Sequence, residues 1–209
     1  MRQKSIIRRL QIIENARALV ADRGMEGLTI KILARAVGVT EGAIYRHFRS
    51  KHEILLGLID DIDTRLRERL ERDETSEETP LETLESVFRS RLSAAERRLG
   101  VLSIVMAEVL LSDDDQLRQR MMEVIEGYLA RVEAVLGDGV RMGEVNPDMP
   151  LRSAALLFFG LVQGVNTIRH FDIEELTQDE QHSLWMVYTR GIMKSRIIPP
   201  NKLVNEFRP

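Results

Sequence analysis

A chain of 209 residues, 44% of them hydrophobic and 30% charged, is long enough for one sizeable core or for a small module joined to a larger domain. The absence of cysteine excludes a disulfide framework and any thiolate metal site; the longest nearly unbroken apolar run, residues 154–162, falls well short of the roughly 18 a membrane span requires, and MRQKSIIRRLQ at the N-terminus lacks a signal-peptide apolar region. A soluble cytoplasmic protein with no membrane partner is therefore expected, and its net charge of −3 hides a split: residues 1–51 hold 11 Lys or Arg against 4 Asp or Glu, net +7, while the remainder holds 19 against 29, net −10, the distribution of a polyanion-binding module attached to a body that avoids polyanions.

Helical periodicity runs through the chain and no strand-like alternation persists, so the expected fold is all-α with about nine helices. In the first helix Ile6, Leu10, Ile13 and Val20 are expected to form one buried stripe, with Gly24 and Gly27 as the stop. Thr29 opens a second helix whose Ile30, Leu33, Ala34 and Val37 share a face, Ala34 being small enough for a crossing helix to come close. Gly38 follows the last helical residue, where a left-handed conformation is cheap for glycine, and Val39 can plug the turn into the core. Thr40 caps a short third helix in which Ile44 and Phe48 point inward. Further helix starts carry the Ser/Thr-x-x-Glu capping box, at Ser50 with Glu53, Thr79 with Glu82 and Thr177 with Glu180, and Pro80 stands where a first-turn proline costs no hydrogen bond. The polar RDETSEET at 72–79 reads as a linker; helices are expected at 80–98, 101–111, 114–136, 151–171 and 178–196, an irregular segment at 137–150, and a stop at Pro199-Pro200.

Residues 29–56, TIKILARAVGVTEGAIYRHFRSKHEILL, thus order a helix, a glycine turn, a short second helix and a newly capped third. That is how a helix-turn-helix presents its second helix to the major groove. The residues left for the outer surface are Glu41, Gly42, Ala43, Tyr45, Arg46 and His47. Gly42 and Ala43 let the backbone approach DNA, with the alanine methyl able to touch a thymine methyl. Arg46 suits a guanine edge or a phosphate; Tyr45, His47 and Lys51 can donate to phosphate oxygens, and the amides after Thr29 and Ser50 form anion sites. Glu41 has two readings, acceptance from a cytosine amino group or complementarity to the helix dipole.

These residues resemble the TetR family of bacterial transcriptional regulators in Thr29, Leu33-Ala34, Val37-Gly38-Val39-Thr40, Gly42, Tyr45, His47-Phe48 and Lys51, over about the first 55 residues. Val37, Leu33 and Thr40 replace the usual alanine, isoleucine and serine without altering packing or capping, and Glu41 stands where the family is often basic. The resemblance implies a three-helix DNA-binding domain, here 1–51, followed by a larger helical ligand-binding and dimerisation domain, 52–209. It further implies a homodimer that binds a palindromic operator and is released, as a repressor, by a largely apolar small molecule. The DNA-contact set is then Thr29, Thr40, Glu41, Gly42, Ala43, Tyr45, Arg46, His47 and Lys51. The alternative is a non-specific or architectural nucleic-acid binder with no small-molecule effector, using the basic end alone.

In the larger domain Phe158, Leu161, Val162, Val165 and Ile168 are apolar, while Gln163, Asn166 and His170 fall on one side of the same helix, with Phe159 a turn before them. That polar stripe lines a ligand pocket or a dimer interface, or is a half-solvated face; Met106 is the methionine placed with the ligand candidates Phe159, Gln163, Asn166 and His170. Gly160 and Gly164, four apart, permit close helix approach, which suits the two-helix-per-subunit bundle the resemblance implies, with Leu184, Trp185, Tyr188 and Ile192 of the last helix as partner surface. His47, His52, His170 and His182 lack metal-ligand spacing; Asp113-Asp114-Asp115 reads as a helix entry, and no nucleophile elbow, phosphate loop or acid/base constellation occurs. Neither a metal, a cofactor nor an enzymatic activity is expected.

Overall fold

The structure is a computed structural model that describes residues 2–70, 78–92, 101–170 and 176–193. Among them the fold is all-helical: α1 Arg2–Arg23, α2 Ile30–Val37, α3 Glu41–Tyr45, α4 Lys51–Leu70, α5 Pro80–Leu92, α6 Val101–Leu111, α7 Asp115–Arg141, α8 Leu151–His170 and α9 Gln178–Ile192. The linker at 72–79 lies mostly outside the described residues, as do the ends expected at 98, 171 and 196 and the stop at Pro199-Pro200.

The capping boxes at Thr79 and Thr177 form as the sequence predicts. Thr79 Oγ1 accepts from the Glu82 amide while Glu82 accepts from the Thr79 amide, and Thr177 and Glu180 repeat that reciprocal pair. At α4 the Ser50 hydroxyl accepts from the Glu53 amide, but Glu53 reaches one residue further back, to the amide of Arg49. Asp114 caps α7 through the Leu117 amide at 3.0 Å.

Two expectations about extent are corrected. The buried stripe of α1 is Ile12, Ile13, Ala16 and Val20, whereas Ile6 and Leu10 are 55% and 64% exposed. Arg9 of α1 lies at Phe48, and the Ile13 side chain lies against the backbone at Gly57 of α4. The second correction is α7, which runs through Gly137 and Gly139 to Arg141 and leaves 142–150 as the connection. Gly139 is required there, because a Cβ would stand 2.7 Å from Val145 Cγ2. Gly143, at φ 79, turns the chain back, and the Asn146 amide donates to the Ile192 carbonyl, tying this turn to the end of α9.

The core is continuous from one end to the other. At the basic end Ile12, Ile13, Leu33, Ile44 and Phe48 pack on α4; in the body Leu84, Phe88, Leu136 and Phe158 are buried among α5, α7 and α8. Trp185 stacks on Phe88 at 5.9 Å between ring centroids and meets Tyr188 at 5.6 Å, and Tyr188 meets Phe158 at 5.6 Å and donates to the Ala154 carbonyl. Burial pushes the Tyr188 phenol pKa up. Trp185, Tyr188 and Ile192 therefore belong to the core of their own protomer, at 5%, 8% and 2% exposure, which corrects their assignment to a partner surface. The error has a simple origin: α9 has an inner and an outer stripe, and large aromatic groups gain most from the inner one.

Candidate nucleic-acid interface

α2 and α3 meet at a turn fixed by local bonds. The Thr29 hydroxyl accepts from the Ile32 amide, starting α2; Gly38 ends it at φ 74, with its amide on Arg35 and the Val39 amide on Ala34 at 2.9 Å. This is the left-handed exit in which only glycine avoids a Cβ clash. Thr40 Oγ1 then accepts from the Ala43 amide to open α3. Ile44 and Phe48 are fully buried behind it, so the remaining side chains of the helix face outward.

Glu41, Gly42, Tyr45 and Arg46 are exposed, Ala43 and His47 half-buried, and Lys51 exposed at the first turn of α4. Thr29 and Thr40 are exposed as well as capping. Of the nine sequence-predicted residues Glu41, Gly42, Ala43 and Tyr45 lie in α3, Thr29 and Thr40 cap α2 and α3, Arg46 and His47 follow α3 directly, and Lys51 opens α4. A Cβ added at Gly42 would meet nothing within 4 Å.

Sequence reasoning missed Arg8 and Arg9 as members of this end. The Arg9 guanidinium lies 4.0 Å from the centroid of the Phe48 ring and donates to the His47 carbonyl just beyond α3. A cation at a helix C-terminus complements its dipole and an orphan carbonyl together. Arg8 lines a cleft of about 390 Å³ with Ile12, Val39, Ala43, Arg46 and His47. The signal was present as the basic run of residues 2–9, but only packing separates the two arginines.

α4 carries this end into the body through charges the sequence reading also missed. Asp63, 4% exposed, accepts from Arg67 of its own helix and from Arg120 of α7 at 2.9 Å, and Arg120 also bonds Asp60 at 2.8 Å. The Arg67 hydrogen bond, chiefly, holds the Asp63 carboxyl pKa below its ordinary value; burial opposes the shift and Arg120 adds to it. Arg17 of α1 stands 3.4 Å from Asp61, and His52 at the start of α4 stands 3.3 Å from Asp114, the cap of α7.

In the body, Gln163 donates to Ser103 and Met106 of α6 over long distances, 3.4 and 3.5 Å, and Phe159 meets Tyr128 of α7 at 5.9 Å. Met106, Phe159 and Gln163 are therefore near neighbours between α6, α7 and α8; Asn166 is half-buried on the same helix, and the side chain of His170 lies outside the described residues. Gly160 and Gly164 sit on the exposed face of α8 with Leu156 and Leu157, Leu184 is half-buried on α9, and Val187 is 73% exposed. The Leu151–Ile168 stretch has the length and mean hydropathy of a membrane span, but Ala154, Ala155, Phe158, Val162 and Val165 within it are core residues, and core helices pass that test. Among the described residues no group of three or more His, Asp or Glu is placed to hold a metal ion.

A capped helix, a left-handed glycine turn and an outward-facing second helix on a basic three-helix end define a helix-turn-helix DNA-binding protein. Comparison with known proteins gives the family. Residues 12–58 match the model of "Bacterial regulatory proteins, tetR family", and residues 46–184 match that of "YsiA-like protein, C-terminal region". The chain belongs to the TetR family of bacterial regulatory proteins and is a DNA-binding transcriptional regulator. It is 30% identical over 155 residues to the fatty acid metabolism regulator protein of Bacillus subtilis, covering 73% of this chain and 78% of the relative. It is 31% identical over 193 residues to the nucleoid occlusion factor SlmA of Vibrio cholerae, covering 90% and 97%. Among solved structures it is similar to the transcriptional regulator FadR of Bacillus subtilis in complex with stearoyl-CoA, with a TM-score of 0.71, 26% identity and coverage of 88% and 98%.

Proposed function

We propose that the protein is a homodimeric repressor whose hold on a palindromic operator is released by a long-chain acyl-CoA. Thr29, Thr40, Glu41, Gly42, Ala43, Tyr45, Arg46, His47 and Lys51 are assigned to DNA, residues 1–51 being the reading module and 52–209 the regulatory one. The observation that carries the assignment is Gly42. Its backbone is helical and its Cβ position is empty, so the protomer has no use for a glycine that costs a helix about 0.5–1 kcal/mol. DNA backbone approaching α3 supplies the use.

The same argument supports the dimer surface. Gly160 and Gly164 have open Cβ positions and lie in an exposed stripe with Leu156, Leu157 and Ile168, which a second copy's α8 and α9 would cover. Two-fold symmetry then sets the two copies of α3 about 34–36 Å apart, or a multiple of it. The acyl-CoA class is supported by the stearoyl-CoA complex of FadR and the 30% identity to the fatty acid metabolism regulator. Met106, Phe159, Gln163, Asn166 and His170 are assigned to the effector, the apolar groups to its chain and the weakly bonded Gln163 amide to a carbonyl.

The test is a salt-controlled anisotropy titration of a duplex selected from a randomised pool. Stearoyl-CoA is expected to lower affinity by roughly 5–150-fold, the usual range of such coupling, whereas CoA alone and stearate alone act weakly. No response to stearoyl-CoA removes the acyl-CoA reading, and equal affinity for a scrambled duplex removes operator recognition. The fuller coverage of SlmA favours a second reading, a DNA-bound factor without a small-molecule effector, which requires affinity indifferent to all three probes.

A further inference from the structure

The paired arginines near the start of α1 have different surroundings. Arg9 is committed inward, to the His47 carbonyl and the face of Phe48. Arg8, its neighbour, lines the cleft between α1 and the α3 region together with Arg46, His47, Ile12, Val39 and Ala43. Two arginines and a histidine thus line, with three apolar residues, a recess beside the recognition helix, and no carboxylate is among its lining residues. A recess of that composition suits a tetrahedral oxyanion, held from two sides by guanidinium donors and set against a surface that does not compete for them.

We propose that this cleft is a phosphate-binding site, in which Arg8 supplies a donor from α1 to a DNA backbone phosphate that Arg46 and His47 approach from α3. The proposal rests on the DNA reading above and extends the interface to a helix outside the helix-turn-helix. Arg9 is the positioning residue: by holding the end of α3 to α1 it keeps the two walls of the cleft at a fixed separation. Because the contact is to phosphate, it adds affinity and register without adding sequence preference.

The experiment is a titration of the full-length protein against the selected duplex and a scrambled one at several salt concentrations. Arg8→Ala is expected to weaken both by a similar factor and to reduce the slope of log affinity against log salt by about 0.9 per protomer, with Arg8→Lys retaining the slope. Arg9→Ala is expected to weaken the selected duplex with little change in slope, and hydrogen exchange of the His47 and Phe48 amides rises. Lys51→Ala is the reference for the DNA reading. If it lowers the slope while Arg8→Ala leaves slope and affinity unchanged, the cleft proposal is overturned and the DNA reading stands; if neither variant changes either quantity, both fall. Inorganic phosphate distinguishes the sources: competition by millimolar phosphate in wild type but equally in Arg8→Ala overturns the site, and loss of that competition in Arg8→Ala supports it.

Discussion

The recognition helix α3 and the exposed face of α8 both place glycines where the protomer's own packing leaves open space, yet they are held in opposite ways. α3 is five residues long and stands because Thr40 caps it, Gly38 turns into it, and Ile44 and Phe48 anchor it from behind. α8 is 20 residues long and stands on a core of Ala154, Ala155, Phe158, Val162 and Val165 that would form it with or without the glycines. The lesson is that a short element needs every local device and so advertises itself residue by residue, whereas a long one needs only a pattern and leaves its outer face free to specialise.

The comparison breaks most severely at Phe48. Phe48→Ala removes a fully buried ring and the seat of Arg9, an expected loss of about 3–5 kcal/mol. Hydrogen exchange should accelerate in α2 and α3 while the centre of α7 keeps its protection; equal acceleration in both would mean that the ends do not differ in how they are held. Next comes Asp63, which ties α4 to α7. Asp63→Asn removes the buried carboxylate that Arg67 and Arg120 share, with Arg120 keeping its bond to Asp60, and should cost about 2–3 kcal/mol by chemical denaturation at neutral pH. The carboxyl pKa is lowered in the folded protein, so its contribution is full above the unfolded value near 3.9 and is lost as pH falls through the lower folded one. Wild type should therefore lose stability below about pH 4, and Asp63→Asn should flatten part of that decline.

Smaller changes sharpen the contrast. Gly38→Ala forces a Cβ into a left-handed turn and should cost about 1–2 kcal/mol, and Thr40→Ala about 1 kcal/mol, each measured by thermal unfolding and each with a loss of duplex affinity. Leu157→Glu, on the exposed stripe of α8, should change protomer stability by less than about 0.5 kcal/mol while sedimentation shows a monomer. A dimer that survives this change would move the partner surface elsewhere.

The accuracy of the sequence reading followed the same division. Thr29, Gly38, Thr40 and the capping boxes were legible because each acts within about four residues of itself; the boxes at Thr79 and Thr177 form in full, and at Ser50 the hydroxyl half forms while Glu53 turns to the Arg49 amide. The inward stripe of α1 was misplaced by a turn at Ile6 and Leu10, because periodicity gives the direction of a face but not where the neighbouring helix ends. The α9 aromatics were assigned to the wrong side for a related reason: Trp185 and Tyr188 look alike in sequence whether they meet Phe88 and Phe158 or a second subunit.

The sequence by itself determined the helical class, the helix starts, the charge split and the helix-turn-helix with its outward residues, since these depend on caps, turn conformations and spacing along one chain. Tertiary structure alone decided that Arg9 holds α3 while Arg8 faces the cleft, that Arg120 reaches Asp60 and Asp63 across about 60 positions of chain, and that α9 turns its aromatics inward. Those outcomes depend on which helices lie beside one another, a property of the whole packing that no local pattern contains.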